Sequence, residues 1–312
     1  MFDTGKSSLI QYDVSKLAQN DLNFQFFIKH DEKIDDLVSG NKWRKLYYNV
    51  LHAQEKAYDG ILTFGGAYSN HLVATAKACS ILGMKSKGIV RGEELNENSN
   101  PTLQKCADYG MELTFISRSE YANRNDFEYQ SCMKNEYNNF YLVPEGGANF
   151  NGVIGCQKIL LETNNEFDHI FVAAGTATTA AGIALSKNLK SKLHVVSALK
   201  GDFIQKEFQN RIYSVIYDED TARDITNETI FHLDVHCGGY GKFNTNLIEA
   251  IQKFYQLTGV KLDPIYTGKT WLAVLNAMND GSINPGEKVL FVHTGGLQGI
   301  QGFEKANGIN LF

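Results

Sequence analysis

An open, mostly parallel α/β fold is the class predicted by this chain of 312 residues. Three observations predict it. Short apolar runs of strand length alternate with stretches of helical periodicity. Glycine-rich turns follow the apolar runs that end at Phe64, Val143, Ala174 and His293. No fixed-period repeat and no low-complexity linker interrupts the alternation, so domain boundaries are weakly marked.

Residues 1–39 carry short apolar runs such as Phe24 to Ile28, then an acidic cluster from Asp31 to Asp36. From Asn41 onward, Trp43, Leu46, Tyr47, Val50 and Leu51 recur at i, i+3, i+4, i+7 and i+8, the stripe of an amphipathic helix that Gly40 opens. Gly60 to Phe64 reads as a strand, Gly65-Gly66 as its turn, and Ser69 to Leu82 as a helix capped by Ser69 or Asn70. Lys87 to Val90 is the next strand. Asn100-Pro101 opens a helix to Tyr109, and Met111 to Ser117 returns as a strand. The polar segment Arg118 to Asn139 reads as exposed helix. Tyr141 to Pro144 is a strand ending in Glu145-Gly146-Gly147, with a helix from Gly152 to Thr163. His169 to Ala174 is strand, Gly175 turns, and Thr178 to Leu189 is helix. Leu193 to Leu199 is a strand, 202–235 is an acidic stretch of no clear periodicity, Asn246 to Leu257 is helix, and Val289 to His293 is strand.

Composition narrows the function classes. At 43% hydrophobic residues the chain can build one large or two ordinary cores without staples. A net charge of −5 and the absence of a basic run argue against nucleic acid as partner. Five widely spaced cysteines, none in a C-x-x-C pair, indicate neither a disulfide framework nor a zinc site. Met1 to Val14 lacks the apolar core of a signal peptide, and the longest uncharged run, Ile170 to Leu185, is short for a membrane span. A soluble cytoplasmic protein is expected.

Four stretches carry chemistry. Lys42 lies on the flank of the helix stripe and Lys45 further round toward solvent, so Lys42 is the better candidate for a partly buried, nucleophilic amine. Arg44 and Lys45 could supply cations that depress its pKa; the plainer alternative is a solvated basic face. Gly175 to Gly182 follows an apolar strand and opens a helix, presenting backbone N–H groups and the hydroxyls of Thr176, Thr178 and Thr179 to one point, as a phosphate requires. It matches neither the dinucleotide nor the nucleoside-triphosphate glycine pattern, and a small phosphorylated cofactor suits it better; close helix packing is the alternative. Gly65 to His71 offers a helix N-terminus with polar side chains for a carboxylate, where His71 is a ligand, a base or a packed structural residue. Tyr266, in Leu262 to Lys269, could serve as general acid, or as base if nearby cations acidified its phenol; Tyr240 sits in a second permissive loop. The His232-x-x-x-His236 spacing would suit zinc on a helix, but no third ligand accompanies it, and no metal is expected.

Taken together the stretches resemble the pyridoxal-phosphate enzymes of the 1-aminocyclopropane-1-carboxylate deaminase and D-cysteine desulfhydrase family. The matching motifs run in order as G-N-K-x-R-K (Gly40 to Lys45), G-G-x-x-S-N-H (Gly65 to His71), P-x-G-G (Pro144 to Gly147), D-P-x-Y-x-G-K (Asp263 to Lys269) and H-T-G-G (His293 to Gly296). The resemblance implies a tryptophan-synthase-β-like fold with two open, twisted, mostly parallel sheets flanked by helices and pyridoxal 5'-phosphate in the cleft between two domains. It implies a larger cofactor-binding domain of residues 1–54 plus 151–312 and a smaller mobile one of 55–150. Lys42 would be the Schiff-base lysine that also moves protons at Cα, with Lys45 the alternative. Asn70 would bond the cofactor's phenolic oxygen. Ser69 would meet the substrate carboxylate, flanked by Tyr68 and His71. Gly175, Thr176, Ala177, Thr178 and Thr179 would hold the phosphate, Thr267 would face the pyridine nitrogen, and Thr294 would border the cofactor. Tyr266 and Tyr240 would border the substrate, and a homodimer is implied.

Two departures bear on the reaction. Relatives that open the cyclopropane ring have Glu where this chain has Thr267, and a hydroxyl cannot keep a pyridine nitrogen protonated as a carboxylate does. The threonine form resembles the desulfhydrase branch, which eliminates a good β-leaving group. Tyr68 replaces the family's glutamine before Ser-Asn, which alters the wall around the substrate carboxylate. The expected activity is a D-cysteine desulfhydrase-like lyase giving pyruvate, sulfide and ammonia. The alternatives are the ring-opening deaminase, another small amino-acid substrate, and a non-catalytic ligand-binding relative, against which the retained Lys42 argues.

Overall fold

The structure, a computed structural model, describes residues 5–17, 23–35, 38, 40–163, 166–186 and 190–312. Its regular elements in chain order are β1 (Leu9–Tyr12), β2 (Gln25–Lys29), α1 (Asn41–Glu55), β3 (Gly60–Gly66), α2 (Asn70–Ile81), β4 (Lys85–Arg91) and α3 (Pro101–Asp108). They continue with β5 (Met111–Ile116), α4 (Arg118–Ala122), α5 (Phe127–Glu136), β6 (Phe140–Val143), α6 (Phe150–Leu161), β7 (His169–Ala174), α7 (Thr178–Leu185) and β8 (Lys192–Ser197). The last are α8 (Phe203–Ile216), α9 (Glu219–Glu228), β9 (Ile230–His232), α10 (Thr245–Thr258), α11 (Thr267–Asn279), β10 (Lys288–Val292) and α12 (Ile300–Asn307).

The strands form two sheets. One has the order β1-β2-β10-β7-β8-β9, parallel throughout except for the antiparallel pair of β1 with β2. The other has the order β5-β4-β3-β6 and is wholly parallel. This is the expected open, mostly parallel α/β class. Parallel strands covered on both faces read as unbroken apolar runs rather than alternation. β7 obeys this: all six of its residues are buried. Its even positions, Ile170 and Val172, pack with Val153 of α6 and Ile183 of α7, whereas Phe171 joins Phe26, Phe254, Trp271 and Phe291 on the opposite face. The apolar stripe of α1, Trp43, Leu46 and Val50, packs with Ile61 of β3, Ala74 of α2 and Val143.

Side-chain caps explain where the helices begin. Ser69 accepts from the Leu72 N–H at the start of α2, Asn100 from Thr102 and Leu103 at α3, and Asn149 from Gly152 at α6. The Arg118 to Asn139 segment is broken: the turn Asn123–Asn125 and the cap Asp126 separate α4 from α5. α7 ends at Leu185; the Lys187 to Leu189 end of the expected helix lies outside the described residues, as does Asp36 of the acidic cluster. The acidic stretch 202–235 holds α8, α9 and β9, and the segment after Asp263-Pro264 continues as α11. Among the described residues no helix is long and apolar enough to cross a membrane.

Candidate active site

Ligands of open α/β sheets gather beyond the carboxyl ends of the strands. Here the turns after β3, β6, β7 and β10 converge there on one cleft of about 840 Å³. Its walls come from both sheets.

Gly40 shapes the entry to α1. Its backbone, φ 62° and ψ −134°, is glycine territory, and a Cβ there would lie 2.0 Å from the Thr294 carbonyl oxygen. That carbonyl accepts from the Asn41 N–H at 3.2 Å, and the Asn41 amide donates to Thr179 Oγ1 at 2.9 Å. The first turn of α1 is thereby tied to both the β10 and the β7 turns. Lys42 lines the cleft, its Nζ 3.3 Å from Asn41 Oδ1. Burial holds its amine below the usual lysine range, with the charge of Glu145 acting in the opposite direction.

Two expectations about this helix are overturned. Lys45 does not turn toward solvent: it is buried against the Gly147 turn, and its Nζ donates to Thr176 Oγ1 at 3.3 Å. Burial, and then the charge of Lys42, hold it well below the usual lysine range. Helical periodicity assigned the side chain to a face but could not show that the Gly146-Gly147 turn covers that face. Arg44 is not a free cation facing Lys42. It is 2% exposed and grips Asp31 through Nε and Nη2 at 2.6 and 2.7 Å and Glu162 at 3.0 and 2.8 Å.

The Gly175-Thr176-Ala177 turn joins β7 to the N-terminus of α7, with Ala177 in the left-handed region at φ 57°. Gly175, Thr176, Ala177 and Thr179 line the cleft; Thr178 is fully buried, its hydroxyl 3.0 Å from that of Thr176. The helix start, these hydroxyls and the Lys45 amine form a cradle of anion-binding character. Across the cleft, Tyr68, Ser69, Asn70 and His71 occupy the β3 turn and the start of α2, Tyr68 being 67% exposed. His71 is buried. Thr63 donates its hydroxyl to the Val143 carbonyl at 2.7 Å and so accepts from His71 Nε2–H at 2.9 Å. Nδ1 therefore carries the lone pair and has no partner, and burial, with the charges of Lys42 and Lys45, pushes the ring well below the usual histidine range.

Tyr240 and Tyr266 close the remaining wall edge to face, centroids 6.2 Å apart. The Tyr266 ring covers Gly175: a Cβ on that glycine would meet it at 3.3 Å. An acidified phenol is not found. Burial, then Tyr240 and Asp263, push Tyr266 well above its ordinary value, so its phenol holds its proton. Thr267 is fully buried and does not line the cleft; its hydroxyl donates to Asp263 Oδ1 at 2.7 Å. The Asp263 carboxylate also takes the N–H groups of Ile265, Tyr266 and Thr267, which sets the turn carrying Tyr266. Of the two threonines, Thr294 is the one lining the cleft.

Sequence reasoning passed over the supports of this site. Lys269 is buried and donates to the Ala198 and Gly239 carbonyls at 3.3 and 2.8 Å, anchoring the Tyr240 loop. Its place in D-P-x-Y-x-G-K was the available signal. His232 is a strand residue rather than half of a helical metal pair, and no metal-holding cluster is found among the described residues. It ends a hydrogen-bonded chain in which Glu287 meets His169 Nε2 at 3.0 Å, His169 Nδ1 meets His194 Nε2 at 2.8 Å, and His194 Nδ1 meets His232 Nε2 at 2.9 Å.

Comparison with known proteins gives a consistent result. The pattern of the family described as "Pyridoxal-phosphate dependent enzyme" matches residues 8–295. The chain is 30% identical over 299 residues to a bifunctional D-cysteine desulfhydrase/1-aminocyclopropane-1-carboxylate deaminase, mitochondrial, of Arabidopsis thaliana, covering 88% of this chain and 73% of that one. It is 26% identical over 292 residues to a D-cysteine desulfhydrase of Klebsiella pneumoniae, covering 88% of each. A solved structure of an ACC deaminase homologue superposes with a TM-score of 0.80 at 26% identity, over 98% of this chain and 94% of that one.

Proposed function

Because the chain belongs to the pyridoxal-phosphate dependent enzymes, in the group of 1-aminocyclopropane-1-carboxylate deaminases and D-cysteine desulfhydrases, we propose that it is a carbon–sulfur lyase acting on a small amino acid of the D-cysteine type. The site residues fit the cofactor: a partly buried amine on Lys42, held toward its neutral form, shares the cleft with the anion cradle of Gly175 to Thr179 and Lys45. Bound there, pyridoxal phosphate supplies an aldehyde for the lysine amine and an electron sink that acidifies the substrate Cα–H.

The protein's part is positional and acid–base. Lys42 takes the Cα proton, the β-thiol departs, and the released enamine hydrolyses to pyruvate and ammonia. Ser69 and Asn70 at the start of α2 receive the substrate carboxylate and the cofactor's phenolic oxygen. Tyr266, kept protonated by burial, lends its hydroxyl to the departing group beside Tyr240. The smaller unit, 55–150, closes to bring Ser69 toward Lys42 and exclude water. A homodimer in the cytoplasm belongs to the same reading.

One observation carries elimination over ring opening. Among the described residues, the carboxylates lining the cleft are Glu94, Glu145 and Glu207, and each is paired with an arginine: Arg118, Arg124 and Arg211. None stands free to hold a ring nitrogen protonated, so the sink is weaker and favours a substrate with an acidic Cα–H and a good leaving group.

Borohydride reduction of protein loaded with the cofactor, followed by peptide mapping, should place the pyridoxyl group on Lys42. Parallel assays should find sulfide and pyruvate from D- or L-cysteine and no 2-oxobutyrate from 1-aminocyclopropane-1-carboxylate. The opposite product pattern would replace the lyase with the deaminase.

A further inference from the structure

Beside the Gly66 to Ser69 turn, the cleft holds an arginine that no motif singled out. Arg91 ends β4 and lies in register with Gly66 on the neighbouring strand. A Cβ on Gly66 would sit 3.6 Å from Arg91 Nη2, so the guanidinium lies against the turn that leads into the substrate-carboxylate site. It faces the cleft and is exposed to it.

Its neighbours are matched and it is not. Arg124 pairs with Glu145, and Arg118 with Glu94. Among the described residues no carboxylate lies within ion-pair distance of Arg91. Its planar head rests over the Tyr121 ring, 5.9 Å from the centroid, while Arg124 lies 4.8 Å from the same centroid. Tyr121 is buried and its hydroxyl donates to Glu145 at 2.8 Å, so the ring beneath Arg91 is itself fixed. The cradle's own amine, that of Lys45, is committed to Thr176 on the far wall. An unmatched guanidinium at the substrate end, over an aromatic ring, suits an oxyanion of fork geometry.

We propose that the preferred substrate is an amino acid bearing a second anionic group on its side chain, a carboxylate or another oxyanion, and that Arg91 receives that group. The proposal rests on the cofactor-dependent reading of the cleft and narrows its substrate from cysteine itself to a cysteine-type amino acid whose β-sulfur group carries, or lies beside, that anion.

The test uses the cofactor-loaded protein and a matched pair of amino acids without a good leaving group, aspartate and alanine, each as both enantiomers. Dissociation constants are read from the change in the cofactor's visible absorption. The wild type should bind one enantiomer of aspartate about ten-fold or more tighter than the same enantiomer of alanine, as one partly exposed charge-assisted contact allows. Arg91→Gln should bring that ratio close to one, Arg91→Lys should keep part of it, and Arg91→Glu should invert it. A wild-type ratio near one, or a ratio unchanged in Arg91→Gln, overturns the assignment while leaving the cofactor reading intact. Absence of any cofactor absorption in the wild type overturns both.

Discussion

Arg44 holds Asp31 in a two-pronged contact, Nε to Oδ2 at 2.6 Å and Nη2 to Oδ1 at 2.7 Å, with both side chains essentially removed from solvent. The Asp31 carbonyl also accepts from the Gly40 N–H, so this pair underlies the turn that launches Lys42. Removing one partner of a buried pair leaves an uncompensated charge and costs about 3–5 kcal/mol. Asp31→Asn should therefore lower stability on that scale in denaturant unfolding and loosen cofactor retention. A near-neutral result would mean that Glu162 and Ser7 suffice to hold the guanidinium.

At Gly40 the constraint is steric. The backbone conformation alone costs a residue with a Cβ about 1–3 kcal/mol, and the Cβ would also strike the Thr294 carbonyl, which cannot swing aside without breaking its bond from Asn41. Gly40→Ala should cost more than Asp31→Asn in cofactor affinity, because the displaced groups, Asn41 and Thr294, line the cleft themselves. Fluorescence titration of the cofactor into both variants gives the ranking.

The two lysines of α1 separate by what each touches. Lys42→Ala should abolish the borohydride-reducible adduct and lower turnover by about 10²–10⁴-fold, the range for a positioned acid–base group. Lys45→Ala should keep the adduct and weaken cofactor binding, because its amine meets Thr176 of the proposed phosphate cradle. An adduct surviving in Lys42→Ala and lost in Lys45→Ala would exchange their roles.

The chain Glu287–His169–His194–His232 gives acid sensitivity a defined sign. A carboxylate only accepts, so His169 donates from Nε2, His194 from Nε2 to His169, and His232 from Nε2 to His194, with one proton on each ring. A second proton on an inner ring would set N–H against N–H. Burial, with the neighbouring rings, pushes His194 down to about 2, and burial lowers His169 and His232 as well. Above pH 6.5 both folded and unfolded chains are neutral at these rings and contribute no slope. Below it only the unfolded chain takes up protons, so stability falls progressively with pH, by at most about 1.4 kcal/mol per unit for His194. His194→Gln should flatten melting temperature against pH between 6.5 and 4; an unchanged slope would place the acid sensitivity elsewhere.

Legibility followed locality. The strand–turn–helix units were readable because apolar runs, turn glycines and caps such as Ser69 and Asn100 act within a few residues of where they stand. The motif glycines located the cleft. What sequence could not carry were contacts across the fold. Lys45 is buried by a turn about a hundred residues away, Arg44 is neutralised by Asp31 and Glu162, and Thr267 spends its hydroxyl on Asp263. α8, α9 and β9 were missed for a different reason. The stripe of α8, Ile204, Phe208 and Ile212 at i, i+4 and i+8, was there to be read, whereas α9 buries only Ala222 and the three-residue β9 buries none of its residues, so those two leave little apolar periodicity in an acidic stretch.

Thr267 offers the sharpest contrast between motif and geometry. If its hydroxyl served the cofactor ring, Thr267→Val would shift the cofactor's absorption maximum and its pH dependence. In the structure the hydroxyl is engaged elsewhere, donating to Asp263 Oδ1 and accepting from the Asp263 N–H at 2.8 Å, and so closes the turn that presents Tyr266. Valine keeps the shape and leaves those two groups short of a partner, a loss of about 1–3 kcal/mol. Thr267→Val should therefore lower stability by that amount and reduce turnover through a loosened Tyr266, with the cofactor spectrum unmoved. Thr294→Val, at a position that lines the cleft, should move the spectrum with a smaller loss of stability. A spectrum shifted by the first variant and untouched by the second would return the ring contact to Thr267.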